Sequence, residues 1–142
     1  MKKILSVILL VGLLCGIAQS EEYSVIVNSA NGDANAKGPF LLKDEAWSSG
    51  DAVDVYEIDE AGDIKKLLVK KAFLTTVLGM GISDYNKHWS SRKAAGKTKQ
   101  PAKQKSFSNI KRFVSRKKGG IGYVPSSMVD GKVKAIAKFN VN

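Results

Sequence analysis

Apolar and polar positions along the chain switch between a strand period and a helix period. Tyr23–Asn28, YSVIVN, is β-branched and predicts a buried strand. Ser29–Gly38, SANGDANAKG, is dense in turn formers and predicts a loop. Pro39–Trp47, PFLLKDEAW, is an apolar piece followed by charge, enough for one or two helical turns, and Ser48–Asp51 is a turn. Val53–Ile58, VDVYEI, alternates and predicts a second strand with Val53, Val55 and Ile58 inward. Asp63 is the expected N-cap of a helix whose Ile64, Leu67, Leu68, Lys71 or Ala72, Leu74 or Thr75, and Leu78 recur at a 3–4 spacing, with Gly79 and Gly81 as its stop. Ser83 is expected to cap a second helix that carries Tyr85 and Trp89 on one side and ends at Gly96. Lys97–Lys105 reads as a polar, basic connection containing Pro101. Ser106 is expected to cap a third helix with Phe107, Ile110, Phe113 and Val114 as its stripe, closed by Gly119-Gly120. Ile121–Val124 and Val133–Ala137 are the last strands. This order predicts an α/β layer structure, with helices packed on a mixed sheet.

The first twenty residues stand apart. Lys2 and Lys3 precede an uncharged apolar run, Ile4–Ile17, and Ala18-Gln19-Ser20 places small residues before Glu21. This is the pattern of a secretory signal peptide over 1–20. Fourteen residues make about 21 Å of helix, short of a membrane core of about 30 Å. The expectation is a periplasmic protein, not membrane-spanning once mature, with one domain over 21–142.

The sole cysteine, Cys15, lies in that leader behind Leu14, so the mature chain has no thiol or disulfide chemistry. His88 is the only histidine and is expected on a helix surface. Neither a metal site nor a cofactor is expected. No nucleophile–base arrangement or phosphate-loop motif is visible, so the reading is of a non-enzyme.

Charge changes the picture more. With Lys2 and Lys3 set aside, 21 basic and 13 acidic residues leave a net charge of +8. Twelve basic residues and no acidic one fall between Asp84 and Asp130. Such a field attracts an oxyanion, an acidic partner, an anionic surface or nucleic acid. Export argues against nucleic acid, and the aromatics suit a core better than a stacking platform. Helix starts near Gly62-Asp63-Ile64 and Ser106-Phe107-Ser108 offer free backbone N–H groups to an anion. In α/β folds ligands gather at strand carboxyl ends, where Ser29 follows the first strand and Gly62 the second.

The run Gly119-Gly120-Ile121-Gly122-Tyr123-Val124 after a helix resembles the G-x-I-G-Y-V signature of the substrate-binding proteins of phosphate ABC transporters. FLLKDEAWSSGD, Phe40–Asp51, is similar to that family's apolar pair, glycine-lysine, tryptophan and turn, and lacks the glycine before its lysine. Phe73, Leu78-Gly79, Tyr85, Trp89, Gly96 and Pro101 follow its order of landmarks. The resemblance runs from about Tyr23 to Lys138 and is to the short, single-lobe members. It implies a periplasmic-binding-protein-like (type II) single lobe, a mixed β-sheet flanked by helices. It also implies that Gly120 and Gly122 let a core strand pass close to a neighbouring backbone. At the turn after the second strand the family carries an arginine and a Ser-Gly-Thr run. This chain reads IDEAGDIKK there and keeps only Gly62, so Asp59, Glu60 and Asp63 are expected to oppose phosphate.

The expected function is binding of phosphate or another small oxyanion in connection with ABC-type transport, with Ser29, Gly62, Lys65, Lys66 and Tyr123 at the ligand. A second reading is an interaction or sensor module that uses Lys97, Lys99 and Lys103 to hold an acidic protein partner. A lone lobe leaves open the surface a second would cover, so a homodimer is also an expectation.

Overall fold

The computed structural model describes residues 20–142, and the expected signal peptide lies outside the described residues except for Ser20. Five strands form one sheet: β1 (Glu21–Asn28), β2 (Asp54–Ile58), β3 (Ala102–Gln104), β4 (Gly120–Pro125) and β5 (Val133–Val141). Their order is β3-β2-β4-β1-β5. β2 is parallel to both β3 and β4, whereas β1 is antiparallel to both its neighbours. The sheet is therefore mixed, with one reversed strand. β1 and β4 are buried nearly throughout, as strands covered on both faces are.

The helices are α1 (Lys37–Phe40), α2 (Ile64–Phe73), α3 (Ile82–Ala94) and α4 (Phe107–Arg116). Asp63 Oδ1 accepts from Lys66 N at 3.1 Å and Ser106 Oγ from Asn109 N at 3.1 Å, so both expected caps form. Ser83 is no cap: α3 begins at Ile82, with Gly81 before it and no side-chain cap. Gly79 and Gly96 take left-handed φ of 67° and 82° and end their helices. His88 is half-buried rather than on the surface, and its Nε2–H donates to the Leu41 carbonyl at 2.7 Å. Arg92 donates to the neighbouring Leu42 carbonyl at 2.9 Å, so two side chains tie α3 to the end of α1.

The two faces of β4 are built differently. Tyr123 meets the rings of Phe40, Phe73 and Phe139, with Phe73 stacked at 4.4 Å. On the other face stand Gly120 and Gly122, and α4 lies directly on them. A Cβ on Gly122 would come within 2.6 Å of Ile110 Cγ2 and 2.9 Å of the Tyr56 carbonyl oxygen. Tyr56 stacks on Phe113 of α4 at 5.3 Å, with 9° between the planes.

α2 differs from its expected face. Val69, Lys70 and Phe73 are buried, then Leu74 and Leu78 in a π-helical turn, Leu74–Leu78. Ile64 and Leu68 are 71% and 44% exposed. The wider turn shifts the phase by one position, which no 3.6-residue template anticipates. Ala102–Gln104, expected within a connection, is a short edge strand on β2. Its Lys and Gln side chains carry no β signal, and they discourage further pairing at that edge.

Gly122→Ala is expected to cost about 1–3 kcal/mol, because neither Ile110 nor the β2 backbone can retreat freely. Gly131→Ala, with nothing within 4 Å of its added methyl, is expected to be near neutral. Urea unfolding of both variants measures the difference.

Candidate functional site

Because β2 and β4 are parallel and β1 runs against them, the carboxyl ends of β2 and β4 meet the start of β1. A cavity of about 240 Å³ opens there, lined by Glu21, Tyr23, Asp63, Lys65, Lys66, Val69, Phe107 and Pro125. α2 and α4, ten residues each, both begin at it. Their caps satisfy Lys66 N and Asn109 N, so the N–H groups of Ile64, Lys65, Phe107 and Ser108 have no partner within their helices. Burial first, then the Glu21 carboxylate, pushes the Tyr23 phenol up to about 12, so it stays a neutral donor.

The carboxylates of the IDEAGDIKK turn do not stand free. Lys105 Nζ donates to Asp59 at 2.9 Å, and this bond, with the Ala61 N–H, holds Asp59 below the usual carboxylate range. Lys66 Nζ lies 3.9 Å from Asp63 and donates to the Lys105 carbonyl at 2.7 Å. Lys65 Nζ lies 3.6 Å from Glu21. An approaching anion meets a neutralised rim, not the repulsive one expected from the sequence.

The structure brings together Gly62, Lys65 and Lys66 and separates them from the other two expected ligand residues. Gly62 turns the chain into α2 with φ of 73° and open space around it. Ser29 is exposed at the opposite end of the sheet, because β1 runs antiparallel and its carboxyl end points away from that of β2. Tyr123 is fully buried among aromatic rings, and its hydroxyl lies beside the β2 backbone at Ile58 without a well-formed hydrogen bond. Neither residue lines the cavity. Lys97, Lys99 and Lys103 are already opposed: Lys97 by Glu45 at 3.7 Å, Lys99 by Asp54 at 3.4 Å, and Lys103 by Glu60 at 3.3 Å.

Behind the turn lies a charged cluster that the sequence reading missed. Lys70 and Glu57 are each 3% exposed. Lys70 Nζ sits 2.9 Å from Glu60 Oε1 and 3.6 Å from Glu57 Oε1, and Tyr85 Oη donates to Glu57 Oε2 at 2.5 Å. Lys103 closes the cluster 3.6 Å from Glu57. Burial, and then the Glu57 charge, raise the Tyr85 phenol far above its ordinary value. Burial opposes the Lys103 ammonium, but Glu57 and Glu60 outweigh it and raise its pKa. Burial likewise works against the Glu60 carboxylate, and the Lys70 hydrogen bond and charge overcome it, leaving its pKa lowered. The signal for this cluster was present: the Val53-Val55 alternation reaches Glu57 next, and Lys70 sits three residues before Phe73. A second cavity, about 260 Å³, borders the cluster between α3 and Pro101. Among the described residues no group of three or more His, Cys, Asp or Glu side chains is placed to hold a metal ion, and no helix is long and apolar enough to cross a membrane.

No family model matches the sequence, and no curated protein matches it. In structure, the chain is similar to a crystal structure of an assigned phosphate ABC-transporter substrate-binding protein with bound phosphate from Clostridium perfringens. Identity is 17% and the TM-score is 0.58, over 82% of this chain and 44% of that one. An ABC-type phosphate transport receptor from Vibrio cholerae is similar over 82% of this chain and 45% of its own, at 17% identity and a TM-score of 0.49. The chain thus spans less than half the length of either. The first likeness, with the mixed sheet and helices on both faces, gives this chain the α/β fold of one periplasmic-binding-protein-like lobe.

Removing Lys70 leaves buried carboxylates short of a partner. Lys70→Ala is expected to cost about 3 kcal/mol, the low end for breaking a buried pair, because Lys103 remains beside Glu57. Denaturant unfolding checks it. The lowered Glu60 pKa contributes stability that is present above its ordinary 4.5 and lost as pH falls through the lowered value. The raised Lys103 pKa contributes stability that is complete below 10.5 and lost as pH rises through the raised value. Melting temperature is expected to decline on the acid side from about pH 4.5, and Glu60→Gln is expected to flatten that limb.

Proposed function

We propose that the protein is exported to the periplasm and binds phosphate or another small oxyanion at the carboxyl-end cavity, in connection with ABC-type transport. The observation that carries this reading is the convergence of the α2 and α4 N-termini with Lys65 and Lys66 on one cavity. Helix N-termini present N–H donors and a partial positive charge, which together favour an anion. The fold supports it too, since the Clostridium perfringens protein of the same fold holds phosphate.

The rim pairs are compatible with anion entry. Lys65–Glu21 at 3.6 Å and Lys66–Asp63 at 3.9 Å are long and solvent-facing, and such pairs contribute about 0–1 kcal/mol. An oxyanion can take over the Lys65 ammonium at little cost, and Lys66 has N–H donors beyond the one it gives the Lys105 carbonyl. Gly62 shapes the turn and leaves room above it. The leader pattern of Met1–Ser20 supports export.

Calorimetric titration with orthophosphate, at about 0.05 M and about 0.5 M salt, tests the proposal, because screening separates a formed site from a diffuse field. Saturable one-to-one binding is expected at both, weakened about tenfold in Lys66→Ala, the loss of one charge-assisted hydrogen bond. Unchanged affinity in the Lys65→Ala/Lys66→Ala double variant would place the anion elsewhere.

A further inference from the structure

We propose that the outward face of α4, together with Lys132, is a docking site for a soluble polyphosphate anion, separate from the carboxyl-end cavity. Ser108, Lys111, Arg112, Ser115, Arg116 and Lys132 line a concavity of about 320 Å³. It gathers four cations, and Asp130 is the one carboxylate paired with any of them among the described residues, 2.6 Å from Lys111. The contrast with the lysines around β3 is sharp. Lys97, Lys99, Lys103 and Lys105 each face a carboxylate of this chain, while Arg112 and Arg116 face none among the described residues, and Lys132 shares Asp130, whose Oδ1 accepts from the Lys132 backbone N–H at 3.0 Å. The field suggested by the sequence is therefore largely cancelled near β3 and left standing over much of α4.

The face is also ordered. Ile110 and Val114 anchor α4 in the core, which fixes the helical positions on its opposite side. Arg112 Nη2 donates to Asn109 Oδ1 at 2.9 Å, and its guanidinium lies 5.6 Å from the Phe113 ring, so the head group is held with other N–H donors free. Ser115 Oγ donates to the Arg112 carbonyl at 2.7 Å. Guanidinium forks suit phosphate oxygens.

Lys111 and Arg116 are about 7.5 Å apart along the helix axis, so a short run of linked phosphates can reach from one to the other. A lipid surface is the poorer match. The exposed large apolar residues among those described are Ile64 and Leu68, both on α2, so this face has nothing to insert. A nucleic-acid strand would want exposed rings to stack on, and Phe113 is half-buried against Tyr56.

The test is calorimetry with sodium tripolyphosphate at about 0.15 M salt, where diffuse attraction is largely screened. Saturable binding is expected, weakened at least about tenfold by Arg112→Gln with Arg116→Gln. Lys87→Gln with Lys93→Gln, which removes the same charge elsewhere, is expected to leave affinity within about twofold, as is Lys66→Ala. Equal weakening by both charge-removing pairs, or none by the arginine pair, overturns the assignment to this face. A loss in Lys66→Ala instead means the anion uses the carboxyl-end cavity. Stronger binding to phosphatidylglycerol vesicles than to tripolyphosphate, lost in the arginine pair, overturns the soluble-anion source in favour of a lipid.

Discussion

The close approach of α4 to β4 organises the molecule. A helix axis normally stands off a sheet by the depth of a layer of side chains. At Gly120 and Gly122 that layer is missing on one face, and the helix descends until Ile110 and the Val114 backbone fill the space. The other face of the same strand is packed with rings around Tyr123. β4 can be thin on one side and thick on the other because its residues alternate between faces. Seating α4 in this way aims its N-terminus at the carboxyl end of the sheet and leaves its charged side to solvent.

The charged cluster under α2 is the second constraint. An ammonium buried in a lobe needs partners on several sides, and Lys70 has Glu57, Glu60 and the Tyr85 ring. These come from β2, the turn after it, and α3. Their satisfaction holds that turn in one shape, with Gly62 at its tip. The rigidity of the cavity rim and the burial of the lysine are thus one property.

Local signals were legible where a residue's role depends on its immediate neighbours. The caps at Asp63 and Ser106 and the stops at Gly79 and Gly96 act within a few residues, and these appear in the fold, whereas Val55–Ile58 of VDVYEI are buried without alternation. What failed depends on distant partners. Nothing in YSVIVN states which way β1 runs, so Ser29 was placed beside Gly62 when it lies at the far end. Nothing in AKQ signals a strand until β2 supplies hydrogen bonds. Lys97, Lys99 and Lys103 read as free charges because their carboxylates are 43 to 52 residues away, at Glu45, Asp54 and Glu60. Tyr123 read as a ligand candidate because the rings that bury it come from α1, α2 and β5.

The reversed strand has a consequence for the order of assembly. β1 pairs on one side with β4 and on the other with β5, so Glu21 finds its partner at Val141. The first strand has no sheet to join until the last two have been made. Contacts so distant in sequence carry a large loop-closure cost before they stabilise anything, which slows folding. A chain wired in this way cannot close its sheet around β1 until the residues of β4 and β5 are in place.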